Sequence, residues 1–207
     1  MASVMLDAEE ARVLGCLIEK ELTTPDYYPL SLNALVNACN QKSNREPAVQ
    51  YDESTVRGAV ERLRHHGLGT VLTGSEHRVP KYGHRAYERL DLGRREIAVL
   101  AVLLLRGPQT LGEIKERTGR MYEFDDIESV ESTLRKLAER TDGPLAAQLP
   151  KQPGMREARY AHLLCGEPAP PAAEPQPVSL REDRLTKLEA EVAELKAAFE
   201  EFRRQFS

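Results

Sequence analysis

The sequence predicts a mainly α protein with small β-hairpins, an α+β fold in which one plan occurs twice before a helical tail. Three observations predict it. Apolar residues recur at helical spacing at matching points of two halves: Val13, Leu14, Leu17 and Ile18 against Val99, Leu100, Leu103 and Leu104, then Val56, Val60 and Leu63 against Val130, Leu134 and Leu137. Between these stripes each half has a short helix with a polar start, at Ser31 and at Thr110, and each half closes in two extended runs punctuated by Gly and Pro. Finally, Leu185, Leu188, Val192, Leu195, Phe199, Phe202 and Phe206 alternate spacings of three and four, which is a heptad seam.

The first helix opens on Asp7 and Glu10, a capping box in which each side chain takes a backbone amide of the other's turn. Thr23-Thr24-Pro25 ends it near Leu22, because the residue before a proline avoids helical angles. Tyr27, Tyr28 and Pro29 connect to the second helix, capped by Ser31 and running to about Cys39. Residues 40–51 (NQKSNREPAVQY) are too polar and Pro-interrupted to be helical, and form a long turn. Asp52 or Ser54 caps the third helix, and Gly67 and Gly69 stop it. Val71–Thr73 and Arg78–Tyr82 then flank Gly74-Ser75 as a hairpin.

Leu90–Gly93 is read as a hinge. The second half starts with a helix from about Arg94 to Leu105, closed by Gly107-Pro108. Thr110 and Glu113 form another capping box, Gly119 ends that helix, and Arg120–Asp125 leads to a third helix from about Asp126 to Arg140. Gly143-Pro144 breaks the chain, and Leu145–Leu149 with Arg159–Leu164 make a second hairpin around Pro153-Gly154.

Three helices closed by a β-hairpin is the plan of a winged helix, which presents its third helix and its hairpin to nucleic acid. The expected organisation is a first winged-helix domain over 1–90, a second over 91–166, a Pro/Ala-rich linker over 167–180 and a coiled-coil helix over 181–207. A seam this narrow on a tethered helix needs a partner. Either a second copy supplies it, giving a coiled-coil dimer, or the stripe folds back onto a groove of its own chain.

Composition bounds the function. At 207 residues the chain suits two small domains and a tail, and the absence of Trp, with 5% aromatic residues, argues against a large aromatic ligand cavity. Cys16, Cys39 and Cys165 are odd in number and widely spaced, so neither a disulfide framework nor a zinc site is expected. No leader-like N-terminus and no apolar run of ~18 residues is present, which predicts a soluble, cytoplasmic protein away from membranes. No nucleophile elbow, P-loop, dinucleotide fingerprint or zinc-protease motif occurs, and no enzyme activity or cofactor is expected. The net charge of −4 is unusual for a DNA binder, but cations concentrate between Lys42 and Arg89.

Two strips in that region are candidates for contact with double-stranded DNA. On the third helix, Arg57 and Arg64 flank Glu61 on the face away from the core, a spacing that reaches phosphates or a guanine edge, or else forms a solvated Arg–Glu–Arg surface. On the hairpin, Arg78, Lys81 and Arg85 put cations where a wing meets backbone or minor groove. In the preceding loop, Lys42 and Arg45 either join this surface or belong to a set of side chains that fix the turn. The third helix of the second half carries Glu128, Glu131 and Glu139, so that half is expected to serve protein contact or spacing. A scaffold of tandem winged helices and a coiled coil, without nucleic acid, is the alternative.

The run Cys39-Asn40-Gln41-Lys42-Ser43-Asn44-Arg45-Glu46-Pro47 goes beyond generic winged-helix grammar. With EARVLGCLIE (10–19), Tyr28-Pro29-Leu30-Ser31, Arg78-Val79-Pro80-Lys81-Tyr82, LLLRG (103–107), RMYEF (120–124), VESTL (130–134) and Asp142-Gly143-Pro144, it resembles the YceH family, uncharacterised bacterial proteins. The resemblance implies two winged helices and a DNA-binding role not established for the family. It carries over no catalytic residue.

Overall fold

The computed structural model of the chain describes residues 4–74, 77–151, 155, 157–167 and 192. Its first helix, α1 (Ala8–Thr23), starts on the capping box: Asp7 Oδ1 accepts from the Glu10 amide and Glu10 Oε2 from the Asp7 amide, both at 2.8 Å. Every residue from Glu10 to Ile18 is buried, so α1 is enclosed on most sides rather than amphipathic. A short strand, β1 (Leu30–Ser31), runs directly into α2 (Leu32–Cys39), capped by the Ser31 hydroxyl. The third helix, α3 (Glu53–His65), is capped by Asp52, which settles the choice against Ser54. It is followed by β2 (Gly69–Gly74) and β3 (His77–His84).

These strands form an antiparallel sheet in the order β1-β3-β2, so the hairpin has a third strand that the sequence did not announce. Leu30 and Ser31 pair with Tyr82 and Lys81, while Val71 and Leu72 pair with the same two residues from the other side. The register slips between Leu72 and Gly74, opposite the part of β3 that contains Pro80. Proline has no amide to give the ladder, and such a slip accommodates it.

A helix of one turn and a little more, α4 (Ala86–Leu90), leads to α5 (Arg94–Arg106), α6 (Leu111–Thr118) and α7 (Ile127–Ala138), and then to β4 (Ala146–Gln148) and β5 (Tyr160–His162), paired antiparallel. Thr110 and Glu113 form the expected capping box on α6, and Asp126 caps α7. Gln109 bridges to Tyr160 as Leu30 does to Tyr82, so the second half repeats the third strand as a single pair.

The 90–93 segment is packed rather than hinge-like, with Leu90 and Leu92 buried. The two repeats share one hydrophobic cluster, and residues to Glu167 belong to one compact unit. Its centre is α1 against α5, which is buried from Ile97 to Leu105. Gly15 makes the crossing possible: a Cβ there would stand 2.9 Å from Leu105 side-chain carbons. The linker from residue 168 and the seam residues Leu185, Leu188, Leu195, Phe199, Phe202 and Phe206 lie outside the described residues; Val192 is helical and half-exposed. Among the described residues no helix is long and apolar enough to cross a membrane.

Candidate nucleic-acid interface

The stripe predicted on α3 faces outward. Arg57 and Arg64 are exposed and Glu61 half-buried, while Val56, Ala59, Val60 and Leu63 fill the core. Arg64 and Glu61 pair at 2.7 Å, with both side chains about half exposed, a contact worth at most about 1 kcal/mol. Between α3 and the hairpin lies a shallow groove of about 340 Å³, and it brings Arg64 and Arg85 together with His65 and Thr70. Arg78 is exposed and Lys81 half-buried on β3. Among the described residues, no carboxylate lies within ion-pair distance of Arg57, Arg78, Lys81 or Arg85.

The hairpin stands on a built base. The Tyr28 hydroxyl accepts from the His84 amide at 2.7 Å, and the His84 ring stacks on Tyr87. The Ala86 amide donates to His84 Nδ1 at 3.1 Å, which places the ring proton on Nε2, 2.7 Å from Glu21 Oε2. Burial pushes the Tyr28 hydroxyl above its ordinary range. The base of β3 is thereby tied to α1 and to the β1 connection. Further out, Leu72 and Val79 are 41% and 51% exposed, so the hairpin projects beyond the core.

The loop residues divide. Lys42 is exposed, but it lines a different cleft from the one holding Arg64 and Arg85. Arg45 is a correction: it is turned inward and only 5% exposed. Its guanidinium donates to Glu19 Oε1 at 3.0 Å and Oε2 at 2.6 Å, to Gln41 Oε1 at 2.9 Å and to the Ala38 and Asn44 carbonyls. Burial would push the Glu19 carboxyl up, but the Arg45 hydrogen bonds and charge, with Lys20, outweigh it and hold the carboxyl below its usual range. Arg45 is the internal brace of the loop and has no donor face left for DNA. Asn40 adds a second brace, exchanging two 2.7 Å hydrogen bonds with the Tyr51 backbone.

Arg62, which falls between Lys42 and Arg89, is likewise spoken for. It sits 2.9 Å from Asp7 and 2.6 Å from Glu9 at the start of α1. Cys39 is fully buried beside Cys16, and the hydrogen bond to that thiol, then burial, push it up, away from a reactive thiolate. Among the described residues no three His, Cys, Asp or Glu side chains group as a metal ion would require. Sequence reasoning missed Arg106, Arg117 and Arg120, which line one cleft with Lys42. They lie at or just beyond the ends of two helices, and only the packing of α5 against α1 and of α6 against α5 reveals that they converge.

Residues 6–155 match the family described as "Protein of unknown function, DUF480". A UPF0502 protein of Solibacter usitatus is 58% identical over 206 residues, covering 97% of this chain and 98% of that protein. One from Koribacter versatilis is 55% identical over 197 residues, 93% of this chain and 91% of its own. The UPF0502 protein YceH of Escherichia fergusonii is 50% identical over 200 residues, 92% of this chain and 93% of its own. With a match across most of the compact unit and relatives aligned over nearly their whole length, the chain belongs to the DUF480, or UPF0502, family of bacterial proteins, in which YceH stands.

Proposed function

We propose that the chain is a cytoplasmic, non-catalytic DNA-binding protein of two tandem winged helices, in which α3 and the β2–β3 hairpin of the first repeat meet double-stranded DNA. The observation that carries this reading is the set of cations without internal carboxylate partners among the described residues: Arg57 on α3, Arg78 and Lys81 on the projecting hairpin, and Arg85 in the groove between the two elements. A third helix and wing flanking one groove is the arrangement that places a helix at base edges and a hairpin at the sugar–phosphate backbone. The C-terminal heptads then act as a coiled coil joining two copies, which matches the pairing of half-sites by dimers.

The test is a mobility shift with random duplex DNA across a salt series. Binding is expected to weaken steeply with salt, since each neutralised phosphate contributes about −0.9 to the slope of log K against log salt. Arg78→Ala with Lys81→Ala should flatten that slope by about 2. No shift at low ionic strength would overturn the reading and leave a protein-interaction scaffold in its place. That second reading draws support from α7, whose outer face sets Glu128 and Glu131 against Arg135 and Lys136 and whose first residue, Ile127, is 50% exposed.

A further inference from the structure

A second cleft of the compact unit, about 780 Å³, belongs to neither hairpin. Its walls are the C-terminal turns of α1, the loop at residues 41–44, the end of α5, and the end of α6 with the turn that follows. Lys20, Lys42, Arg106, Arg117 and Arg120 line it, against two carboxylates, Glu19 and Glu116. Glu19 is already engaged by Arg45 and by Lys20, at 2.6 and 3.3 Å. Among the described residues Lys42, Arg106 and Arg120 have no carboxylate within ion-pair distance, and Arg117 reaches only Glu113, at 3.5 Å. Arg106 donates to Asn44 Oδ1, which holds its guanidinium over the cleft side of the loop.

Cations in the last turns of α5 and α6 suit the helix dipoles, but that preference does not require two such ends and a third arginine to line one concavity. Crowding them there is unfavourable until an anion arrives. Arg106 registers it: burial, then the charges of Arg117 and Arg45, lower its affinity for its own proton, only partly offset by Glu19 and Glu116. The floor is apolar, formed by Val102, Leu105 and Met121.

The geometry points to this cleft as a binding site for a phosphorylated small molecule of the nucleoside phosphate class, with Arg106, Arg117, Arg120 and Lys42 on the phosphates and a flat base over the Val102–Leu105–Met121 floor. Guanidinium forks match phosphate oxygens two at a time, and the volume falls within the range of small-ligand sites. A duplex carries its phosphates on a convex cylinder too wide for such a cleft, so the site is distinct from the DNA surface proposed above and does not rest on it.

Isothermal titration of the full chain at low salt tests the site, with ATP, AMP, pyrophosphate and adenosine as probes. ATP should bind saturably, AMP and pyrophosphate each at least tenfold more weakly, and adenosine not measurably. Arg117→Ala with Arg120→Ala should weaken ATP at least tenfold while leaving the far-UV circular dichroism and the duplex mobility shift unchanged. Lys42→Ala, an exposed loop position, gives a second reading should the double variant fail to fold. Absence of saturable heat with every phosphate compound, undiminished ATP binding by the variants, or pyrophosphate binding as tight as ATP would overturn the proposal. So would loss of duplex binding in the arginine variants, which would make the cleft a DNA contact.

Discussion

Tyr82-Gly83-His84 at the end of the first hairpin and Tyr160-Ala161-His162 at the end of the second occupy matching places: the tyrosines pair with Leu30 and Gln109, the histidines with Gly69 and Ala146. Their surroundings differ. His84 is enclosed by Tyr28, Tyr87, the Ala86 amide and Glu21, with Nε2 2.7 Å from that carboxylate, whereas among the described residues His162 has no carboxylate within ion-pair distance and its Nδ1 is buried without a hydrogen-bond partner. The strands differ too, at six and eight residues in the first hairpin and three each in the second. A hairpin that projects from the core needs its base fixed from the side: the first repeat does this around His84, whereas the second is held through Arg159, which donates to the Pro108 carbonyl and to Glu113 Oε2 at 2.9 Å each. The apolar skeleton is kept in both repeats because packing demands it, while polar residues decide which repeat carries a presented surface.

The largest expected effect is in the connectors between the second and third helices. In the first repeat the connector is held by Arg45, whose side chain is fully buried against Glu19. Arg45→Ala leaves that carboxylate to Lys20 alone and strands the Ala38 and Asn44 carbonyls, and should cost about 3–5 kcal/mol in urea unfolding. The second connector has a lesser brace, an exposed hydrogen bond from Lys115 Nζ to the Asp125 carbonyl at 2.7 Å. Lys115→Ala should cost about 1 kcal/mol or less. Equal costs would mean that the two turns are held alike.

The paired histidines give the next contrast. Burial pushes His162 down from 6.5 to about 4. Between those values the unfolded chain takes up a proton that the folded chain refuses, so this contribution to stability is whole above pH 6.5 and lost as the pH falls toward 4. The loss amounts to about 3 kcal/mol at the lower end. His162→Phe should remove that part of the pH dependence, read as the change in urea midpoint between pH 7 and pH 4.5. An unchanged slope in the variant would refute the assignment.

What the sequence made legible here was local. The caps at Asp7, Ser31 and Thr110, and the stripes of α3 and α7, each depend on residues within one or two turns, and they fall where the spacing placed them. The outward placement of Arg57, Arg64, Arg78 and Arg85 was legible for the same reason. Burial of Arg45 was not, since its partner Glu19 is 26 positions away and nothing in a polar loop signals it. The single Leu30–Ser31 strand and the convergence of Arg106, Arg117 and Arg120 also depend on distant contacts.

The α1–α5 crossing yields a smaller effect. Gly15 stands in the apolar run of α1 where Ala101 stands in that of α5, and a Cβ at 15 meets Leu105 and Leu104 carbons at 2.9 and 3.1 Å. Gly15→Ala should destabilise by about 1–3 kcal/mol through overpacking, despite the better helix propensity of alanine. If it stabilised instead, the leucines would have moved aside at no cost, and the close approach would not be what keeps glycine at this position.

The smallest expected effect is the one that isolates function. Arg135 and Lys136 are exposed on α7, where Glu128 and Glu131 share the outer face, and Arg135 reaches Glu131 only at 3.9 Å. If the first repeat alone holds the duplex, replacing both residues with alanine should leave the salt slope of DNA binding unchanged within about 0.3, where Arg78→Ala with Lys81→Ala removes about 2. Both pairs sit on exposed or half-exposed surface, so the comparison separates place from charge: two positive charges are lost in each. A fall of similar size from both pairs would mean that the duplex answers to overall charge rather than to the anchored hairpin, and the distinction between the repeats would then lie in their packing alone.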